Sequence, residues 1–234
     1  MSDDGLLAAL CAQVPAPAAA WLSEALSAIS AAREKAADEL VVRWSGAGRR
    51  LGKAPVELPA VAADRGAPFD AGFLPRGWGA DELGRVLLLR AALAALPAET
   101  HAGVVEDLYR RGETRERQAV LRALPHLPAP QRFIALAVDS VRANVLTEIE
   151  AIACENPFPA RHFSDEAFNQ MVLKCLFTGL PLARVEGLPA RRTAELARMV
   201  AGFASERRAA GREVPADVAL ILDPQQQGGP DASL

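Results

Sequence analysis

The chain has 234 residues, half of them hydrophobic and 24% charged, and its 26 Lys+Arg against 29 Asp+Glu leave a formal net charge of −3. That balance excludes a disordered chain, which pairs low hydrophobicity with high net charge, and it argues against a nucleic-acid partner, whose electrostatic footprint is basic. A globule of this length buries roughly 70% of its unfolded surface, so it needs neither disulfide nor metal to hold a core.

Roughly a fifth of the residues are alanine, and aromatics total 5%. Alanine and leucine form helices well, whereas strands are rich in β-branched and aromatic residues, so the expected fold class is all-α. A GC-rich genome gives the same alanine and arginine excess, so periodicity has to carry the assignment. The start, Met1-Ser-Asp-Asp-Gly, is acidic and lacks the basic opening of a signal peptide. Residues 17–45 read as a long helical segment with room for one break, and Trp21, Leu22, Ala25, Leu26 and Ile29 share one side. Residues 46–79 are rich in Gly and Pro and read as an extended loop, a length that in compact domains is usually functional or mobile.

The next helix opens at Asp81, with Leu83, Val86, Leu87, Leu93 and Ala94 on its inner side, and stops at Leu96-Pro97. Its apolar run carries Arg85 and Arg90 and is too short to span a bilayer, so an integral membrane protein is not expected. Helices over 99–111 and 112–124 follow, then a single long helix over 130–155. Ser164 caps the next one, in which Phe168, Met171, Val172, Cys175 and Leu176 keep the i, i+3, i+4 rhythm. The last long helix spans about 191–210, closed by Gly211, and a short turn follows Pro215. Leu-Pro pairs punctuate these helices, because proline cannot continue a helix and extends the residue before it. Stacked antiparallel pairs of a HEAT-like α-solenoid, or a compact helical bundle, fit that punctuation. The expected organisation is a single helical domain over 1–222 and a disordered tail over 223–234.

Chemical motifs are sparse. Residues 46–53, GAGRRLGK, fail the phosphate-binding P-loop pattern: Ala47 stands where the first glycine belongs, Ala54 where Ser or Thr belongs, and a helix rather than a strand precedes them. Arg49, Arg50 and Lys53 read as a solvated or ion-paired loop, or else as an anion site. His101, His126 and His162 are scattered, no GxSxG elbow occurs, and Cys11, Cys154 and Cys175 read as reduced thiols of a cytoplasmic protein. No metal or cofactor is expected.

On a continuous helix over 130–155, Asn144 and Glu148 fall on the apolar side and need partners, a cavity or a ligand. Apolar residues on two sides of helix 164–178 suggest a central helix that partly encloses Lys174. Lys174 then pairs with Glu148 or snorkels to solvent, or else Asn144, Glu148, Asn169 and Lys174 form a polar pocket. Asn156, before Pro157, is a turn-former.

Residues 156–174, NPFPARHFSDEAFNQMVLK, closely resemble the NP[YF]PxxHFxxxxFNQxVLK signature of the EboA family. The similarity runs on through residues 177–184, FTGLPLAR, and upstream takes in Arg50 to Lys53 and residues 112–125. It covers most of 45–222. The resemblance implies metabolite traffic. It implies protein partners from a shared gene cluster, including a membrane prenyltransferase-like protein, and a small-molecule cargo. It transfers no catalytic residue. It marks Asn156, His162, Asn169, Gln170, Lys174 and Arg184 as signature positions without assigned roles.

Two functions compete. One is a non-enzymatic helical adaptor or small-molecule-binding protein that moves a biosynthetic precursor toward the periplasm, cytoplasmic or peripheral at the inner membrane. The other is an enzyme that uses the Asn144/Glu148/Asn169/Lys174 group, with Glu148 as acid or base and Lys174 as electrophile, since enclosure moves such pKa values toward neutrality.

Overall fold

A computed structural model describes residues 3–58 and 77–222. Those residues are helical, with no strand among them, so the all-α expectation holds. They divide into two compact units, with the division between Leu136 and Ala137.

In the first unit, α1 (Asp3–Cys11) buries Leu6 and Leu10. It has no counterpart in the sequence reading, because nine residues of Ala and Leu offer no clear period. Helix α2 (Ala16–Ala32) carries Pro17 in its first turn and buries Ala18, Leu22, Ala25 and Ile29 along one stripe. The expected break falls at Arg33, whose φ of 50° throws the chain out of the helix before a single 3₁₀ turn. Helix α3 (Ala36–Leu51) then buries Ala36, Leu40, Trp44, Ala47 and Leu51 and ends at Gly52, in the left-handed region.

This corrects the loop expected over 46–79, since residues 46–51 are helical. Gly46 and Gly48 each cost about 1 kcal/mol against alanine in a helix. Burial of Ala47 and Leu51 on the same stripe outweighs that preference. Residues 59–76 of the expected loop, and the expected tail, lie outside the described residues.

Helix α4 (Ala80–Ala95) is the core of this unit, buried at every residue from Ala80 to Leu89. It packs against α1, α2, α3 and α6. Ala94, expected on its inner side, is exposed, because burial on all sides leaves α4 without one preferred face until its last turns. Gly84 is the point of closest approach: a Cβ there would stand 2.1 Å from Leu51 Cδ1. Helices α5 (His101–Arg111) and α6 (Thr114–Ala123) pack on each other and meet at the buried Gly112.

The expected long helix 130–155 is not one helix. A 3₁₀ turn over Pro130–Phe133 leads into α7 (Ile134–Arg142), and α8 (Leu146–Ala153) starts afresh after a break. The break is at Asn144, with φ 58°. Asparagine is among the few non-glycine residues that take the left-handed region readily. In the second unit, α9 (Phe158–His162), α10 (Asp165–Thr178), α11 (Ala194–Ala209) and the short α12 (Ala219–Leu222) follow. Ser164 caps α10 by accepting from the Ala167 amide at 3.2 Å, and Gly179 ends it in the left-handed region. The apolar stripe expected on α10 is buried throughout. Arg191 ties α9 to α10: it donates to the Ala160 carbonyl at 2.6 Å and the Phe163 carbonyl at 2.9 Å, and its guanidinium lies 4.6 Å over the Phe168 ring.

Gly84→Ala is expected to lower unfolding free energy by about 1–3 kcal/mol, as overpacking does, because Leu51 is itself buried and has no room to swing aside. Chemical denaturation of the variant beside the native chain measures it.

Candidate ligand-binding cleft

The head of α4 is built around a buried carboxylate. Asp81 is fully buried and accepts hydrogen bonds from Arg85 Nη1 at 2.8 Å, Arg115 Nε at 3.0 Å and Arg115 Nη2 at 2.6 Å. Arg85 also donates to the Trp44 carbonyl at 3.1 Å, which ties α4 to α3. Beside it, Glu82 accepts from the Gly79 amide at 2.8 Å, capping the helix, and pairs with Arg122 at 2.8 Å. A Cβ on Gly79 would stand 2.7 Å from Asp81 Oδ1, so glycine is what lets the cap close. Burial alone would raise the Asp81 carboxyl, but the hydrogen bonds and charge of Arg115 and Arg85 overcome it and hold the carboxyl below its ordinary range.

Two adjoining hollows lie over this network. The polar one, about 670 Å³, is lined by Arg49, Lys53, Arg85, Arg115 and Arg117, with Asp81, Glu113 and Glu116. The apolar one, about 480 Å³, is walled by Val41, Trp44, Val104 and Leu108 and edged by Gly103. Ser45, Gly112 and Glu116 line both, so the hollows adjoin. Glycine shapes the floor as well: a Cβ on Gly48 would sit 3.4 Å from Arg85 Nη2. The Trp44 side chain is 2% exposed, yet its indole Nε1 has no hydrogen-bond partner.

The cationic trio expected as an anion loop is distributed differently. Arg49 and Arg50 form the last turn of α3 rather than a loop, and Lys53 lies just beyond it. Arg49 and Lys53 line the polar hollow, while Arg50 lines a separate groove with Trp21, Val42 and Arg43. Asp81, Glu82, Arg115 and Trp44 went unread as site residues. The available signal was Asp81 and Arg85 one helical turn apart in an otherwise apolar run, a spacing that forms ion pairs.

The signature residues lie in the second unit. Asn144 is exposed at the break before α8, whereas Glu148, 1% exposed, is buried in it, so the two do not share an environment. The continuous-helix wheel that joined them fails at the left-handed turn. Asn169 is buried, and its Oδ1 lacks a hydrogen-bond partner. Lys174 is half-buried and makes no ion pair among the described residues, so the expected Glu148–Lys174 pair is absent. The outward side of α10 is open, with Gln170 exposed and Phe177 63% exposed, which corrects the central-helix expectation. Gln170 borders a hollow of about 250 Å³ with Val138, Val141 and Phe163.

Asn156 is a buried turn-former: its Nδ2 donates to the Ala151 carbonyl at 3.0 Å and its Oδ1 accepts from the Phe158 amide at 3.0 Å. His162 stacks on Phe158 at 4.8 Å, and burial, helped by Arg161, lowers its pKa. Arg184 grips Glu155 through two bonds of 2.7 and 2.8 Å and Glu150 through one of 2.7 Å. Glu150 is half-buried and paired. Glu155 has φ 46°, and Arg184 holds it there from both sides, since the Glu155 amide also donates to the Arg184 carbonyl at 2.8 Å.

Fold and cleft together define a small all-α protein with a basic-walled cavity. The chain belongs to the EboA family: the family model for the metabolite traffic protein EboA matches residues 3–222. Membership makes it a metabolite traffic protein in the general sense of that name. No curated protein and no solved structure matches it significantly. Among the described residues, no helix is long and apolar enough to cross a membrane.

A carboxyl lowered by folding contributes stability that is complete above its unfolded value and fades as pH falls through the folded one. Asp81→Asn is therefore expected to cost about 3–5 kcal/mol at neutral pH, where it strands Arg85 in the core, and to flatten the acid limb of stability below about pH 4. Urea titrations across pH measure both. Arg184→Ala is expected to cost about 1–2 kcal/mol, an amount set by half-exposed charged bonds. Adding Glu155→Gly should recover part of it, because glycine takes that φ freely. Thermal melts of the single and double variants measure this.

Proposed function

We propose that this chain is a non-enzymatic helical adaptor that holds a small-molecule cargo in the α3–α6 cleft. It acts with partners encoded beside it, among them a membrane prenyltransferase-like protein, to move a biosynthetic precursor toward the periplasm. The observation that carries this reading is the cleft itself, an apolar hollow walled by Val41, Trp44, Val104 and Leu108 beside a polar one. A concave, mostly apolar hollow with a few convergent polar groups is the usual form of a small-molecule site.

The second unit supplies the contact with partners in this reading. Gln170, Lys174 and Phe177 lie on the outward side of α10, inside or next to the signature run, and among the described residues Phe177 is the most exposed large hydrophobic after Val42. Stacked, HEAT-like helix pairs suit an adaptor, because such stacks present extended surfaces. The working position is the cytoplasmic face of the inner membrane, reached through the partner.

Native mass spectrometry of protein isolated from its own host is expected to show a retained adduct. Gly103→Leu should abolish it. A Cβ at Gly103 meets open space, so the leucine fills the apolar hollow, while α5 gains up to about 1 kcal/mol in helix propensity. An adduct that persists in Gly103→Leu removes the cleft from this reading. No adduct from native protein, together with no co-elution of any cluster partner, overturns the whole.

A further inference from the structure

We infer that the cleft takes an amphipathic anion, with a phosphate monoester head in the polar hollow and an apolar body against Val41, Trp44, Val104 and Leu108. This deepens the cargo-binding reading above and rests on it.

The polar hollow fixes the sign and size of the charge. Its lining carries five basic and three acidic side chains, an excess of two positive charges. Arg85 and Arg115 both bond Asp81 and lie 3.8 Å from Glu116 and Glu82 respectively, so they form a rigid, already neutralised floor. Arg49 and Lys53 make no ion pair among the described residues and stand on the rim of the same hollow. Two unpaired cations beside a neutralised floor match a dianionic head better than a single carboxylate, and a guanidinium fork with an ammonium is a common pairing for phosphate. Gly48 keeps the floor uncovered, since any side chain there would begin 3.4 Å from Arg85.

The apolar hollow fixes the other end. Val41 is 55% exposed, and it forms a wall of the cavity with Leu108 and the buried Trp44. Of the charged residues in this lining, Asp38 and the Asp107–Arg111 pair are exposed, the pair neutralises itself at 3.3 Å, and Glu116 lies where the two hollows adjoin, 3.8 Å from Arg85. An apolar body therefore meets hydrocarbon along its length. The junction between head and body lies at Ser45 and Gly112, which belong to both hollows.

Decyl phosphate, decanol and inorganic phosphate are the probes, read by tryptophan fluorescence and calorimetry on the full chain. Decyl phosphate is expected to bind about tenfold or more tighter than decanol, the effect of one or two charge-assisted hydrogen bonds, and tighter than inorganic phosphate. In Arg49→Gln/Lys53→Gln the preference over decanol should vanish while decanol binding stays, because both side chains are exposed and make no ion pair among the described residues. Added salt should weaken decyl phosphate and leave decanol unchanged.

Gly103→Leu should remove both alkyl probes. Equal affinity of native protein for decanol and decyl phosphate overturns the anionic head and leaves the cargo-binding reading intact. Inorganic phosphate bound as tightly as decyl phosphate overturns the apolar body. Binding of none of the three overturns this inference, while a host-derived adduct would still uphold the cargo-binding reading. Flotation with phosphatidic acid vesicles, lost in Gly103→Leu, assigns the head to a bilayer lipid. Binding of dispersed decyl phosphate without flotation assigns it to a soluble phosphate ester.

Discussion

Asp81 is the constraint on which the first unit depends. A carboxylate without solvent is expensive unless charge and hydrogen bonds surround it. Arg85 and Arg115 supply both, and in doing so they fix three elements at once. Arg85 reaches from α4 to the Trp44 carbonyl in the middle of α3, and Arg115 brings in the first turn of α6. The cleft is the space left above this knot. Its floor is therefore rigid, because every group in it is already committed to a neighbour. Such a floor is suited to recognition: a ligand that arrives there pays little for ordering the protein.

The second unit is pinned by arginines in another manner. Arg191 and Arg184 each gather backbone carbonyls or carboxylates from segments that do not share a helix. They hold in place the irregular stretches between α8 and α11, where the chain turns through short helices and left-handed residues. A guanidinium serves this purpose better than an ammonium, because its planar fork satisfies several acceptors in fixed directions. The scarcity of lysine in the chain thus has a structural counterpart in these joints, beyond any codon preference.

Fold class was legible because helical stripes survive codon bias. Phe168, Met171, Val172, Cys175 and Leu176 mark one buried face however the composition arose. Helix ends were less so. Gly46 and Gly48 read as loop, since local propensity cannot weigh the burial of Ala47 and Leu51 against distant α4. Asn144 read as a polar residue on an apolar face, whereas its backbone, not its side chain, was the message. The cleft was legible only at its edges, in Arg49 and Lys53. Its centre is made of residues 81, 85 and 115, and a pairing across more than thirty positions leaves no mark on a single sequence. The signature positions were found by resemblance, and geometry then separated those that close turns, Asn156 and Arg184, from those that face outward, Gln170 and Lys174.

The cleft takes its shape from missing side chains. Gly48, Gly103 and Gly112 all border it, and Gly48 and Gly103 sit inside helices where alanine would be preferred. Drift toward greater thermodynamic robustness would fill those positions first and seal the cavity while leaving a sounder helical protein. A stabilised homologue with larger residues there would keep the architecture and lose the opening. Reading these positions in other members of the family therefore separates chains that retain a vessel from those that retain only its walls.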